Sequence, residues 1–379
     1  MAKLGDICTF QSGGTPSKSN SEYFNGSIPW ITTVALTGDY IDKNDAVDWI
    51  TDKAIQESAA KIVPENSIMV GTRVGIGKVA INAVPMSTSQ DIVSLINIDD
   101  AKWDKKFLCK VILARNNVLL SQARGATIKG IKIDTLAKLE IPEIPLNEQR
   151  RIAAVLDKVS GLIAKRREQL DKLDELVKAR FVEMFGDIDE VVPLSYYING
   201  LVAGKSLAGE VECQNKVLKT GAATYDYFDP TQVKNLPLDY EPQEEHLLKT
   251  GDVIISRMNT SELVGATAYV WNAPEHTYLP DRLWRAELKS TASPIFVWQI
   301  LIQSMTKESI RRIASGTSGS MKNISKVGLL GIKVKKVNRN AQLQFSALVE
   351  QIHKSKLTIQ QSLDKLEVLK KALMQQYFG

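Results

Sequence analysis

Apolar residues return every seven positions along two long stretches of the chain. In the first, Leu156, Ile163, Leu170, Val177 and Met184 make one stripe, and Val159 and Leu173 make a second that Arg166 and Arg180 interrupt. In the other, Ile352, Ile359, Leu366 and Leu373 recur, flanked by Phe345, Leu348, Leu363 and Leu369. Heptad recurrence is the mark of a helix with one buried seam. Pro142 and Pro145 close an extended stretch, and from Asn147 to Phe185 only Gly161 is a weak helix former. A helix is therefore predicted over 146–186, with Asn147 as N-cap, and a second over 339–379. At 1.5 Å per residue each spans about 58 Å. Two such seams pack most simply on each other; the alternative is that each covers only its own globular neighbour.

The remaining stretches, 1–145 and 187–338, alternate short strands with turns and a few helices. Strands are predicted at Pro29-Trp30-Ile31, Ser67 to Val70, Lys78 to Asn82 and Ile92 to Ile96, followed by a helix from Lys105 to Gln122. Further along, Asp252 to Ser256, Ala266 to Trp271 and Trp284 to Leu288 read as strands, and Pro294 to Ile313 as helix. Each stretch then ends in a strand, Leu139 to Ile141 and Gly331 to Val337. The fold class is α+β: two globular domains and two long helices.

The halves are copies. A shift of 193 residues sets Asp171-Lys172-Leu173 on Asp364-Lys365-Leu366 and Phe185-Gly186 on Phe378-Gly379. The same shift pairs Gln149 with Gln342, Leu139 with Ile332, Leu136 with Leu329 and Ile128 with Met321. A small gap brings Ala123-Arg124-Gly125 onto Ala314-Ser315-Gly316. Each copy is a variable globular part followed by a long helix.

Charge sharpens this picture only locally. The net charge is +5, and the segments 1–144, 145–186, 187–340 and 341–379 carry 0, +2, +1 and +2. An anionic partner must therefore meet patches rather than a global field. Lysines and arginines crowd 102–132 and again 307–339, at matching places in the two copies. Inside these runs lie small polar loops, Gly125-Ala126-Thr127 and Gly316 to Ser320, whose backbone N–H groups suit phosphate oxygens. Arg124, Lys129, Lys132, Arg312, Lys322 and Asn323 are the candidates there. Arg73, Lys78, Gln90, Arg257, Asn259, Arg282 and Arg285 sit in polar turns or strand ends, where Arg suits guanine edges and Asn or Gln suits adenine edges.

Catalytic signatures fail on inspection. Gly75-Ile76-Gly77-Lys78-Val79-Ala80 has dinucleotide spacing, but Ile81-Asn82-Ala83-Val84-Pro85 cannot open the helix that motif needs. Gly200 to Ser206 is one residue short of a phosphate loop. Pro280-Asp281 … Glu287-Leu288-Lys289 matches a nuclease pattern too short to weigh. Ser27-Ile28-Pro29-Trp30 keeps two positions of an amino-methyltransferase motif without a glycine-rich cofactor loop. Cys8, Cys109 and Cys213, with His246, His276 and His353, are too scattered for a zinc site or a nucleophilic triad. Free thiols in a reducing cytoplasm are expected, with no membrane span and no signal region.

The run from Leu4-Gly5-Asp6-Ile7-Cys8 to Ser12-Gly13-Gly14-Thr15-Pro16 resembles the opening of type I restriction–modification specificity subunits. So do Pro29-Trp30-Ile31, the Ile141 to Ile152 run entering the first long helix, and Lys172-Leu173 … Phe185-Gly186. The run at 141–152 is repeated faintly at 334–345, with Gln342 kept and Ala341 in place of the glutamate. The resemblance implies two target-recognition domains (1–145 and 187–338) related by a pseudo-two-fold axis and separated by an antiparallel pair of spacer helices (146–186 and 339–379). It implies a non-catalytic subunit that reads the two halves of a split double-stranded DNA target. Two methylation subunits would dock on it and bring S-adenosylmethionine, so this chain would hold no cofactor, and restriction (translocase/nuclease) subunits can join them. Two other readings remain open at this point: a coiled-coil scaffold without a nucleic-acid role, and a self-contained methyltransferase or nuclease.

Overall fold

A computed structural model describes residues 1–125, 129–316 and 321–379. The two long helices are there, Leu146–Phe185 and Arg339–Phe378. The first starts one residue earlier than its expected cap: the N–H groups of Glu148 and Gln149 both bond the Pro145 carbonyl, so Asn147 lies inside the first turn rather than before it. Two compact units divide the chain, Met1–Glu168 with Gln360–Gly379, and Gln169–Ile359. Each contains a globular part and segments of both helices.

In the first unit the central sheet runs Thr9–Ser12, Ile92–Ile96, Ile68–Gly71, Val79–Asn82 and Tyr40–Ile41. Its first four strands are antiparallel, and the last is parallel to its neighbour. A second sheet sets Asp48–Ile50, Phe24–Ile31, Met86–Thr88 and Ile62–Val63 side by side. The opening glycines are explained by close approach of backbone. A Cβ on Gly13 would lie 2.2 Å from the Ser89 carbonyl oxygen, and one on Gly14 would lie 2.1 Å from that of Ala59. Gly13 and Gly14 bond the carbonyls of Ile92 and Thr88, and the Trp30 indole donates to the Gly14 carbonyl at 3.0 Å. Any side chain there would push the opening strand off the sheet.

The central sheet of the second unit runs Ile198–Ala203, Leu283–Leu288, Val253–Ser256 and Thr267–Tyr269, antiparallel throughout. In chain order these correspond to Thr9–Ser12, Ile92–Ile96, Ile68–Gly71 and Val79–Asn82, so the two sheets share one strand order. A short two-stranded ladder closes each copy: Ala2–Lys3 with Glu140–Ile141, and Val191–Pro193 with Lys333–Lys335. The duplication seen in the sequence is thus a duplication of topology.

Several predicted elements are shorter or divided. The helix expected from Lys105 to Gln122 is two, Lys105–Ala114 and Asn116–Ser121, broken where Arg115 leaves helical geometry. That expected from Pro294 to Ile313 is Pro294–Leu301 and Ser304–Ile313, with Gln303 extended between them. Gly331 ends a short helix, Lys326–Gly331, instead of opening a strand. Gly75 and Gly77 have φ of +70° and +74°, so the dinucleotide-like run is a tight turn between two strands, as its sequel requires.

The seams do not serve each helix's own globular neighbour alone: within each unit the helices also meet each other. In the first unit Ile152, Ala153 and Leu156 join the core that contains Phe107, Leu108 and Leu136, and Phe378 enters the same core, its ring 5.6 Å from Phe107. Arg167 pairs with Glu367 at 2.7 Å. In the second unit Phe181 and Phe185 pack on Phe345, each at 5.5 Å, and on Phe296 of the globular part. Asp174 pairs there with Lys356 at 2.6 Å. Within each unit, therefore, numbers rise along one helix as they fall along the other, which is antiparallel pairing. The stripe residues Leu156, Val159, Ile163, Val177 and Ile352 and the flanking Phe345 and Leu363 are buried, and Leu170, Leu173, Met184, Leu348, Ile359, Leu366 and Leu373 are half-buried. Leu369, counted as a flank of the seam, is instead 45% exposed.

Candidate nucleic-acid interface

The first unit gathers cations from distant parts of the chain around one cleft of about 700 Å³, lined by Arg73, Ser121, Gln122, Arg124, Gly130 and Lys132 among others. Backbone bonds build it. Arg124 and Gly130 exchange N–H···O bonds of 3.0 and 2.9 Å, and the next residue, Ile131, donates to the Thr72 carbonyl at 2.8 Å. That last bond sets Arg73 beside this bridge. Gly130 leaves room for it: a Cβ at this position would lie 3.0 Å from Arg73 Cγ. Arg73 is exposed, with Asp91 3.9 Å away. Gln90 is exposed on the same turn as Asp91, and Lys78 is exposed just past the Gly75–Gly77 turn. Lys129 is exposed on the loop itself, whereas Ala126 and Thr127, named above as phosphate-binding backbone, lie outside the described residues.

The second unit repeats this construction. Ser315 and Asn323 exchange bonds of 2.9 and 2.8 Å, and the following residue, Ile324, donates to the Arg257 carbonyl at 3.0 Å. Ile131 and Ile324 are 193 residues apart, the period of the repeat. Met258–Asn259 pairs with Lys322–Asn323 as a two-stranded ladder, and Arg257 donates its N–H to the Arg282 carbonyl. Arg257, Asn259, Arg282, Lys322 and Asn323 thus meet at one end of the central sheet. Lys322 Nζ donates to the Gly316 carbonyl at 2.7 Å, and Thr317 to Ser320 lie outside the described residues. The Arg257 guanidinium stands 5.9 Å over the Trp284 ring, and among the described residues its buried Nε has no hydrogen-bond partner, nor has Asn323 Oδ1. Asn259 Oδ1 accepts the Thr260 N–H at 2.9 Å. Arg312 is exposed near the end of its helix, 3.5 Å from Glu308.

Two expectations need correction. Arg285 was placed among the base-reading candidates, but its guanidinium points into the fold. It donates to the Leu247 and Glu245 carbonyls at 3.0 and 2.8 Å and lies 3.8 Å from Asp252. Burial nonetheless keeps the Asp252 carboxyl above its ordinary value, against the pull of the Lys249 N–H and Arg285. This arginine braces a strand. The basic runs are also thinner than the sequence suggests, because several cations of each are held by partners within the chain. Lys102 pairs with Glu143, and Lys106 and Lys110 both pair with Asp157 of the long helix at 2.9 and 2.6 Å. Lys307 pairs with Asp226, Lys336 with Glu190, and Lys335 donates to the Gly186 and Ile188 carbonyls.

Sequence reading passed over the neutral polar groups of the first cleft, Ser121, Gln122 and Thr135. Their signal was position alone: they flank Arg124 and Lys132 in the chain. The cysteines offer no nucleophile there. Burial pushes the thiols of Cys8 and Cys109 up to about 12, so neither is a thiolate near neutrality.

Residues 1–174 match the family model described as the type I restriction modification DNA specificity domain. The likeness to this family model thus lies in the first 174 residues. The chain is 31% identical over 190 residues to the MjaIX specificity subunit of Methanocaldococcus jannaschii, a match that covers 50% of this chain and 44% of the relative. It is 33% identical over 192 residues to the EcoR124I/EcoR124II specificity subunit of Escherichia coli, covering 49% and 46%. These matches span less than half of each relative's length. Similarity to the EcoKI specificity subunit of Escherichia coli K12 runs over 352 residues at 22% identity, 84% of this chain and 74% of the other. Among solved structures, the S subunit of the type I system of M. genitalium aligns over 100% of this chain and 95% of its own, with a TM-score of 0.62 at 16% identity. That likeness is one of fold. Among the described residues no helix is long and apolar enough to cross a membrane.

Proposed function

We propose that this chain is a type I restriction–modification specificity subunit, the DNA-reading part of a modification complex, and binds a bipartite duplex target through its two globular parts. The observation that carries the reading is the repeated construction just described. In each copy a backbone bridge is followed at once by a residue pinned to the one after a central strand, and cations stand around it. The positive groups supply sequence-independent attraction to phosphates, and the Arg, Asn and Gln side chains beside them have the donor and acceptor sets that base edges require. Two sites on one polypeptide suit a target read in two separated halves.

On this reading the chain performs no chemistry. Two methylation subunits hold S-adenosylmethionine and act on the bound target, restriction subunits join the same assembly, and the complex works in the cytoplasm. The test is selection from a pool of random duplexes by the full-length chain with its methylation subunits, followed by sequencing. Two short motifs separated by an unread gap of constant length are expected. Recovery of duplexes without any common motif refutes the proposal.

A further inference from the structure

Gln149 and Gln342 lie one repeat apart, each in the first turn of a long helix, and each is almost wholly buried, at 1% and 2% exposure. Their amides share two connections, and Gln149 adds a third. Gln149 Oε1 accepts the Asp104 N–H at 2.9 Å, while Nε2 donates to the Ile144 and Lys102 carbonyls at 2.9 and 3.0 Å. Gln342 Oε1 accepts the Ser293 N–H at 2.9 Å, while Nε2 donates to the Val337 carbonyl at 2.8 Å. Ile144 and Val337 are again 193 residues apart. Asp104 and Ser293 are the N-cap residues of Lys105–Ala114 and Pro294–Leu301, the helices that lie on the sheet of each globular part. One side chain in each copy therefore ties the start of the long helix to its lead-in and to the cap of the first globular helix. A glutamine amide both accepts from an N–H and donates to carbonyls at this reach, and these partners also fix which way it points.

The apolar seam around this amide holds the helix without direction, since burial of apolar surface is insensitive to small rotations. Hydrogen bonds are not, because they weaken steeply with angle. From this, and resting on the DNA-reading proposal, we infer that Gln149 and Gln342 are positioning residues that set the rotation of each globular part on its own long helix and so hold the unread gap to a single length. Each has local support. In the second unit the Ser346 hydroxyl pairs with that of Ser293 at 2.6 Å and with the Gln342 carbonyl at 2.8 Å. In the first, Lys106 and Lys110 reach Asp157 two turns further along the long helix.

The same random-duplex selection tests this with Gln149→Met and Gln342→Met, which keep length and lose the amide. Half-site motifs should be unchanged. The ratio of recovered duplexes with the wild-type gap to those one base pair longer or shorter should fall by about five- to tenfold, the scale of one or two hydrogen bonds. That ratio is taken among bound molecules, so a lower folded fraction does not move it. Leu156→Ala, which weakens the same interface without touching an amide, should leave the ratio alone. If a methionine variant fails to fold, Gln→Glu at that position, which keeps size and acceptor but removes the donor, is read in its place and should also broaden the gap. An unchanged ratio in the variants, or an equal broadening in Leu156→Ala, overturns the positioning role. A wild-type chain that selects no motif overturns the DNA-reading proposal, and the gap role falls with it.

Discussion

Arg124 and Lys132 line the cleft of the first unit with no ion pair among the described residues, whereas Arg73 has Asp91 3.9 Å away. If the cleft holds a phosphate backbone, the double variant Arg124→Ala/Lys132→Ala removes two counter-ion-releasing contacts. Each contact contributes about 0.9 to the slope of log affinity against log salt, so the slope should become shallower by about 1.8. Between 50 and 200 mM salt, a fourfold change, the affinity gap between wild type and variant should narrow by about 12-fold. The Arg73→Ala change should alter the slope less, since part of its charge is already answered by Asp91. Fluorescence anisotropy of a labelled random-sequence duplex, titrated at four or five salt concentrations, measures this directly. Parallel lines for wild type and double variant would show that neither side chain meets a phosphate, and the cleft would lose its claim to the backbone.

Two further outcomes follow from packing and charge. Phe345→Ala empties a site whose ring touches Phe181 and Phe185 and is fully buried, so chemical denaturation should show a loss of about 3–5 kcal/mol; a loss below about 1 kcal/mol would mean that the aromatic cluster does not join helix to globular part. Asp157 is partly buried, which alone would raise its pKa, but bonds from Lys110 and Lys106 outweigh this and hold the carboxyl below its ordinary value. Its stabilising effect is therefore complete above the unfolded value of about 3.9 and fades as pH falls through that value toward the folded one. Asp157→Asn should be less stable than wild type at pH 7, and the difference should shrink below about pH 5. A constant difference from pH 7 to pH 3 would contradict the ion-pair account.

Much of this molecule was legible along the chain because its signals are local or periodic. The heptad returns of Leu156, Ile163 and Val177 mark a buried seam wherever the rest of the protein lies, and the 193-residue period is a property of order alone. Both survive in the structure as two 40-residue helices and one strand order used twice. What the chain could not disclose is which charges are free. Lys106 and Arg285 look as available as Arg124 when read in sequence, yet Asp157 lies 51 residues from Lys106, and the carbonyls that hold Arg285 lie 38 and 40 residues away. The same is true of the cleft, where a bond from Ile131 to Thr72 sets Arg73 beside Arg124, and of Gln149, whose repeat partner was visible but whose grip on Asp104 was not. Periodicity is set by neighbours a few residues apart, whereas the fate of a cation or an amide depends on whichever group the fold brings within 3 Å, and only tertiary structure decides that.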